Sequence, residues 1–130
     1  MRKINFKGKC AKSSKYKGEW VKGSLIQCED GKTSIVKAYS PNCMVTYTVD
    51  EKTVCQSTGL FDKNGNEIFN GDILVHGNKV VGHVVDGVRG YCFDIVYRTP
   101  ISEEQWSLYA AVVNDYGGDV EIIGNIHDKE

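Results

Sequence analysis

Asp62-Lys63-Asn64-Gly65-Asn66-Glu67-Ile68-Phe69-Asn70-Gly71-Asp72-Ile73-Leu74-Val75-His76-Gly77-Asn78-Lys79-Val80-Val81-Gly82-His83-Val84-Val85 is the stretch on which the fold turns. Two turn signals, Asn64-Gly65 and Gly77-Asn78, sit between short apolar, β-branched runs, the pattern of strands joined by tight hairpins. Asn64-Gly65 predicts a type I′ turn, which needs positive φ at both central residues. With Gly77-Asn78 as a two-residue hairpin, His76 faces Lys79, Leu74 faces Val81 and Asp72 faces His83. Ile73, Val75, Val80 and Val84 then share the core side. The Asp72–His83 pair reads first as a structural cross-strand pair, since a carboxylate-oriented imidazole needs a nucleophile to make a catalytic arrangement.

The same stretch opens like a calcium loop, with oxygen side chains at the first, third and fifth positions (Asp62, Asn64, Asn66). The sixth position, which needs Gly for its sharp bend, is Glu67, and the twelfth, which needs a bidentate acid, is Ile73. It is therefore a turn, in which Asp62 and Asn64 bond local backbone.

Working outward, Trp20 to Cys28 pairs with Lys32 to Ala38 around Asp30-Gly31. In Cys43 to Val49, Val45, Tyr47 and Val49 face one way and Thr46 and Thr48 the other. Further strands are predicted at Tyr91 to Arg98 and Val120 to Gly124, with another turn at Asp86-Gly87, and both prolines, Pro41 and Pro100, precede strands. Ser102-Glu103-Glu104-Gln105 resembles a helix start, predicting a short helix within 103–115, with a strand through Trp106 to Tyr109 as the alternative. The expectation is a mostly β fold with at most one short helix.

The chain has 130 residues and a net charge of -1, with 41% hydrophobic residues. That excludes a disordered tail and a generic basic DNA-coating protein. Size scaling gives about 6,900 Å² folded against about 21,000 Å² unfolded, enough for one core. No apolar run approaches the ~18 residues of a membrane span, and the charged N-terminus lacks the apolar region of a signal peptide. A soluble, cytoplasmic protein is expected. The five cysteines, Cys10, Cys28, Cys43, Cys55 and Cys92, are odd in number, widely spaced and without a C-x-x-C pair, so they read as free thiols. His76, His83 and His127 are distant from them in sequence, and nothing nominates a base for Cys28, Cys43 or Cys55. No phosphate loop, dinucleotide fingerprint or nucleophile elbow occurs. No catalytic, metal or cofactor residue is nominated, and the expectation is a protein that is not an enzyme.

Charge is unevenly distributed. Residues 1–22 carry eight bases against Glu19, a net of +7, and residues 23–130 carry eight bases against sixteen acids, a net of -8. Such a head is neutralised within the fold, between subunits, or by nucleic acid. Lys7, Lys9, Lys12, Lys15, Lys17 and Lys22, with Tyr16 and Trp20 as stacking candidates, form the candidate partner surface. The overall pI of about 6.3 weighs against a nucleic-acid role.

Thr53-Val54-Cys55-Gln56-Ser57-Thr58-Gly59-Leu60, followed by Asp62 to Leu74, resembles the signature of the YopX family of phage and prophage proteins. The opening Arg2 to Lys9, the block Trp20 to Leu25 and the close Glu121 to His127 are similar to the family as well. Departures are Cys55 where the family has Gly, Ser57 where it has an aromatic, and a clipped C-terminal tail. The resemblance implies a mostly β fold with a small SH3-like barrel and additional N-terminal strands. It implies one domain over 1–130, an N-terminal strand region at 1–50 packed with a barrel region at 51–126. It also implies oligomers. In this reading the signature is structural: Asn64-Gly65 turns, Gly59 and Gly71 set bends, and Ile68, Ile73 and Val75 fill the core, while Thr58 and Gln56 are strand polars or a contact surface. The function expected is that of an accessory protein in the bacterial host cell, acting by oligomerisation or by contact with a host or phage protein. The alternative is nucleic-acid binding by the basic N-terminal segment.

Overall fold

The structure, a computed structural model, describes residues 5–86, 93–98 and 103–128. Its strands are β1 (Phe6–Lys9), β2 (Trp20–Gln27), β3 (Thr33–Ser40), β4 (Cys43–Val49), β5 (Cys55–Phe61), β6 (Glu67–Phe69), β7 (Asp72–His76), β8 (Lys79–Asp86), β9 (Phe93–Arg98), β10 (Glu103–Ser107) and β11 (Glu121–Asn125). A 3₁₀ turn at Glu51–Thr53 and a wide helical turn at Ala110–Asp115 are added to them. The fold is mostly β, in two antiparallel sheets, as the turn and alternation pattern predicts. Among the described residues no helix is long and apolar enough to cross a membrane. The predicted Asp86-Gly87 turn and the residues Cys92, Pro100 and Ser102 fall wholly or partly outside the described residues.

The chain divides into two compact units, Met1–Ser57 and Thr58–Glu130. In the first, the strands lie in the order β4-β3-β2-β1-β5. The β2–β3 hairpin forms at Asp30-Gly31 as read: the Gly31 N–H donates to Cys28 O at 3.0 Å, and the Cys28 N–H to Lys32 O at 2.9 Å. The end of β4 returns to the end of β1 through a bridge between Cys10 and Val49. Buried Ile35, Val49 and Cys10 fill the inner side. Gly8 lets the chains approach there, since a Cβ would stand 3.3 Å from Val49 Cβ and 3.4 Å from Ile35 Cδ1. Thr53 closes the unit: its hydroxyl accepts from the Lys9 N–H at 2.8 Å and donates to Asp50 O at 2.7 Å.

The second unit is the sheet β10-β9-β8-β7-β11, with β6 beside the end of β5. Four strands meander, and the fifth returns to pair with the first. The core is Ile68, Leu74, Val81, Val84, Ile95, Leu108, Ala111, Val112 and Val120. Burying each valine, leucine or isoleucine of this set contributes about 1.5–3 kcal/mol.

The β7–β8 hairpin begins in the predicted register and then leaves it. His76 faces Lys79 as expected, but Val75 faces Val80, Leu74 faces Gly82 and Ile73 faces His83. Val81 is an extra residue on β8, a bulge that exchanges the two faces beyond it. Leu74 and Asp72 therefore take the core side with Val84, whereas Ile73 and Val75 are half-buried and Val80 is exposed. Gly82 makes the bulge possible. Its φ is +141°, and a Cβ there would lie 2.2 Å from Val96 O. The expected pairing of Asp72 with His83 is corrected accordingly: across the other edge of β7, Asp72 faces Asn125.

Two further expectations are corrected. Asn64-Gly65 is not type I′, because Gly65 has φ +82° while Asn64 has negative φ. The Gly65 N–H donates to Asp62 O at 3.0 Å and the Asp62 N–H to Asn66 O at 2.9 Å, a type I turn followed by a left-handed glycine. The start read for the helix is the other: no helix begins at Glu103, although a short helical turn does lie within 103–115 as expected, at Ala110–Asp115. Glu103–Ser107 is β10, pairing with β9 and setting Glu103 opposite Arg98 in register, because the ladder hydrogen bonds offered by a free strand edge outweigh a capping pattern. The wide turn follows, closed by the Tyr116 N–H to Ala111 O at 3.1 Å, and Leu108, Ala111 and Val112 are buried in the core.

Candidate partner surface on the basic unit

The division into units is also a division of charge. Residues 1–57 hold eleven bases and five acids, a net of +6, and residues 58–130 hold five bases and twelve acids, a net of -7. All eight candidate partner residues lie in the first unit.

The sheet separates them. Lys7 stands opposite Lys22 and Lys9 opposite Trp20, so these four share one face. The Lys7 Nζ lies 4.8 Å and the Lys9 Nζ 5.7 Å from the Trp20 ring centre, gathering the cations on the indole. Lys9 is buried and Lys22 exposed. Lys12, Lys15, Lys17 and Tyr16 are exposed on the loop from residue 11 to 19. That loop is tied down locally: the Ser14 N–H donates to Ala11 O at 2.9 Å, the Tyr16 N–H to the Ser14 hydroxyl at 3.1 Å, and the Gly18 N–H to Cys10 O at 3.1 Å.

Tyr16 does not join Trp20. It packs edge-on against Tyr47, ring centres 5.6 Å apart, and the Tyr47 hydroxyl shares a 3.1 Å hydrogen bond with the Tyr39 hydroxyl. Tyr47 stands opposite Ile35, and Val45 opposite Lys37, which puts these tyrosines on the sheet face away from Trp20. The Lys15 Nζ lies 5.1 Å from the Tyr16 ring centre, and the Lys37 Nζ 5.3 Å from that of Tyr39. The bond from Tyr39, and then partial burial, push the Tyr47 phenol up to about 12. Tyr39, Tyr47 and Lys37 were not among the residues singled out in the sequence. The alternation of β4 put Tyr47 on one side with Val45 and Val49 without marking it as a contact residue, and Tyr39 carried no motif.

Cys10, Cys28, Cys43 and Cys55 stand outside any disulfide, the first and last buried, and the Cys55 thiol donates to Thr53 O at 3.2 Å. Burial pushes the Cys10 thiol up against a counteracting bond with Ser14. Among the described residues no group of three or more His, Cys, Asp or Glu side chains converges as a metal site.

The family model for the YopX protein matches residues 12–130, which takes in most of both units. The chain belongs to the YopX family. No curated protein matches it. The crystal structure of protein EF1440 from Enterococcus faecalis is similar over 98% of this chain and 96% of that one, at 20% identity and a TM-score of 0.46.

In this YopX chain the polar residues of the central block make hydrogen bonds within the second unit. The Thr58 hydroxyl donates to Ile68 O at 2.7 Å and accepts from the Leu60 N–H at 3.2 Å, the strand-polar role expected of it. Asp62 accepts from the Asn64 and Asn66 N–H groups on Oδ1, at 3.0 and 2.9 Å, and from the Ile122 N–H on Oδ2 at 3.2 Å. Burial alone would raise its carboxyl, but those backbone donors outweigh it and hold the group below its ordinary value. Fully buried Asp72 accepts from the Phe69 N–H on Oδ2 at 2.7 Å and from the Asn125 Nδ2 on Oδ1 at 2.9 Å. Asn125 in turn donates to Asn70 O at 3.3 Å and accepts from the His127 N–H at 3.0 Å. Gly71, at φ +87°, lies against the Asn125 amide. A buried carboxylate–amide contact, spanning 53 residues of sequence, thus adds to the β7–β11 pairing that joins the block to the close of the chain.

Proposed function

We propose that this YopX chain is a phage- or prophage-encoded accessory protein that acts by contact rather than catalysis, assembling with its own copies in the bacterial cytoplasm. The observation that carries the reading is the coincidence of the charge division with the two units. A +6 unit and a -7 unit on one chain favour attraction between unlike units of different copies. Such a contact is heterologous, and repeated by rotation it closes a ring or grows a fibre. Exposed Lys12, Lys15 and Lys17 contribute to it. The meander and returning fifth strand of the second unit support a small barrel of the SH3-like kind. Sedimentation of the full chain at tens of micromolar tests the assembly. An oligomer at low salt that dissociates at high salt, or on replacing Lys12, Lys15 and Lys17 by Glu, supports it. A monomer at low salt overturns it.

A second reading is favoured by a specific observation: lysines resting on aromatic rings in a unit that is basic by itself. The overall pI hides this unit, whose field suits a polyanion. Here the first unit binds nucleic acid, and affinity falls steeply with salt as counterions are released.

A further inference from the structure

Resting on that second reading, we infer that the face formed by Tyr16, Tyr39 and Tyr47, flanked by Lys15 and Lys37, is a stacking platform for single-stranded nucleic acid. The three rings form one chain of contacts, Tyr16 edge-on to Tyr47 and Tyr47 bonded to Tyr39. Tyr39 is 57% exposed and Tyr16 39%, so their rings meet solvent. Large aromatic surface left in water, with an ammonium group over each of two rings, has the composition of a surface that takes unstacked bases and the phosphates joining them. Lys15 and Lys37 occupy the ring faces in the free protein. A base sliding onto a ring replaces that exposed contact and leaves the lysine beside the phosphate.

Selection for single strands follows from access. In a duplex the base faces are already stacked, whereas a single strand presents them. The net charge of +6 on residues 1–57 draws the strand in. Trp20, with Lys7, Lys9 and Lys22, lies on the opposite face and is not part of the platform.

The test is fluorescence anisotropy of a labelled oligothymidylate with the full chain at low salt, comparing wild type with Tyr39→Ala, Tyr39→Phe, Lys37→Gln and Lys22→Gln. Tyr39 and Lys37 are exposed, and a thermal melt of each variant confirms that it is folded. Tyr39→Ala is expected to weaken binding about tenfold. Tyr39→Phe, which keeps the ring, restores most of the loss. Lys37→Gln lowers the salt slope by about one, and Lys22→Gln, on the other face, has the smaller effect. Binding that is undiminished in Tyr39→Ala overturns the platform while leaving nucleic-acid binding by the unit intact. No binding by wild type removes both. A labelled duplex bound as tightly as the single strand rejects stacking, and a change in sedimentation of Tyr39→Ala without a change in oligonucleotide binding reassigns the face to contact between copies.

Discussion

Gly71 and Gly65 share a backbone conformation and differ in what surrounds them, so replacing each by Ala isolates the buried carboxylate network. Their φ values are +87° and +82°. A Cβ in this region costs about 1–2 kcal/mol at either position, and the loss of freedom that Ala imposes on the unfolded chain is common to both. Nothing lies within 4 Å of a Cβ at Gly65. At Gly71 the Cβ would stand 3.1 Å from Asn125 Nδ2, 3.2 Å from Asn125 Oδ1 and 3.2 Å from Ile126 Cγ1. The amide must shift, and it is the amide that donates to Asp72 at 2.9 Å. A hydrogen bond to a charged group contributes about 1.5–3 kcal/mol. Gly65→Ala should therefore cost about 1–2 kcal/mol and Gly71→Ala about 2.5–5 kcal/mol. With a urea m-value of about 2 kcal/mol/M, the midpoints fall by about 0.5–1 M and about 1.3–2.5 M respectively. Urea denaturation followed by circular dichroism reads both. Equal midpoints for the two variants would refute the reasoning, because they would leave the Asn125–Asp72 contact with no energetic role.

Two further expectations concern Asp62. Because its carboxyl is held below its ordinary value, its ionised form stabilises the fold at neutral pH, and this stability is lost as pH falls through the folded-state value. The advantage of wild type over Asp62→Asn in urea denaturation should thus be full at pH 7 and shrink below about pH 4; a constant difference across that range would contradict it. Millimolar calcium should leave the melting temperature unchanged, since the Asp62 oxygens are engaged by backbone N–H groups of its own turn and of Ile122, and a calcium-dependent rise would reinstate the loop as a cation site.

Much of this molecule is legible in its sequence because the deciding physics is local. Asp30-Gly31 and Gly77-Asn78 place hairpins, and the alternation of Val45, Tyr47 and Val49 against Thr46 and Thr48 sets the two faces of β4. The central block marks the family before any coordinate is known. Even the basic head is visible as eight bases in 22 residues.

Other features depend on contacts that no short window contains. One residue, Val81, slipped out of register moves Leu74 and Asp72 inward and Ile73 and Val75 outward, because side chains alternate with period two and a single insertion reverses every face beyond it. Asp72 is buried because Asn125 arrives from the far end of the chain to satisfy it, and a carboxylate without such a donor would not be tolerated there. Tyr16 and Trp20, four positions apart, end on opposite faces of a sheet, while Tyr16 meets Tyr47 and, through it, Tyr39. Turns, strands and charge follow from neighbours along the chain; the faces on which side chains meet follow from pairing across it, and the candidate surface lies in that second class.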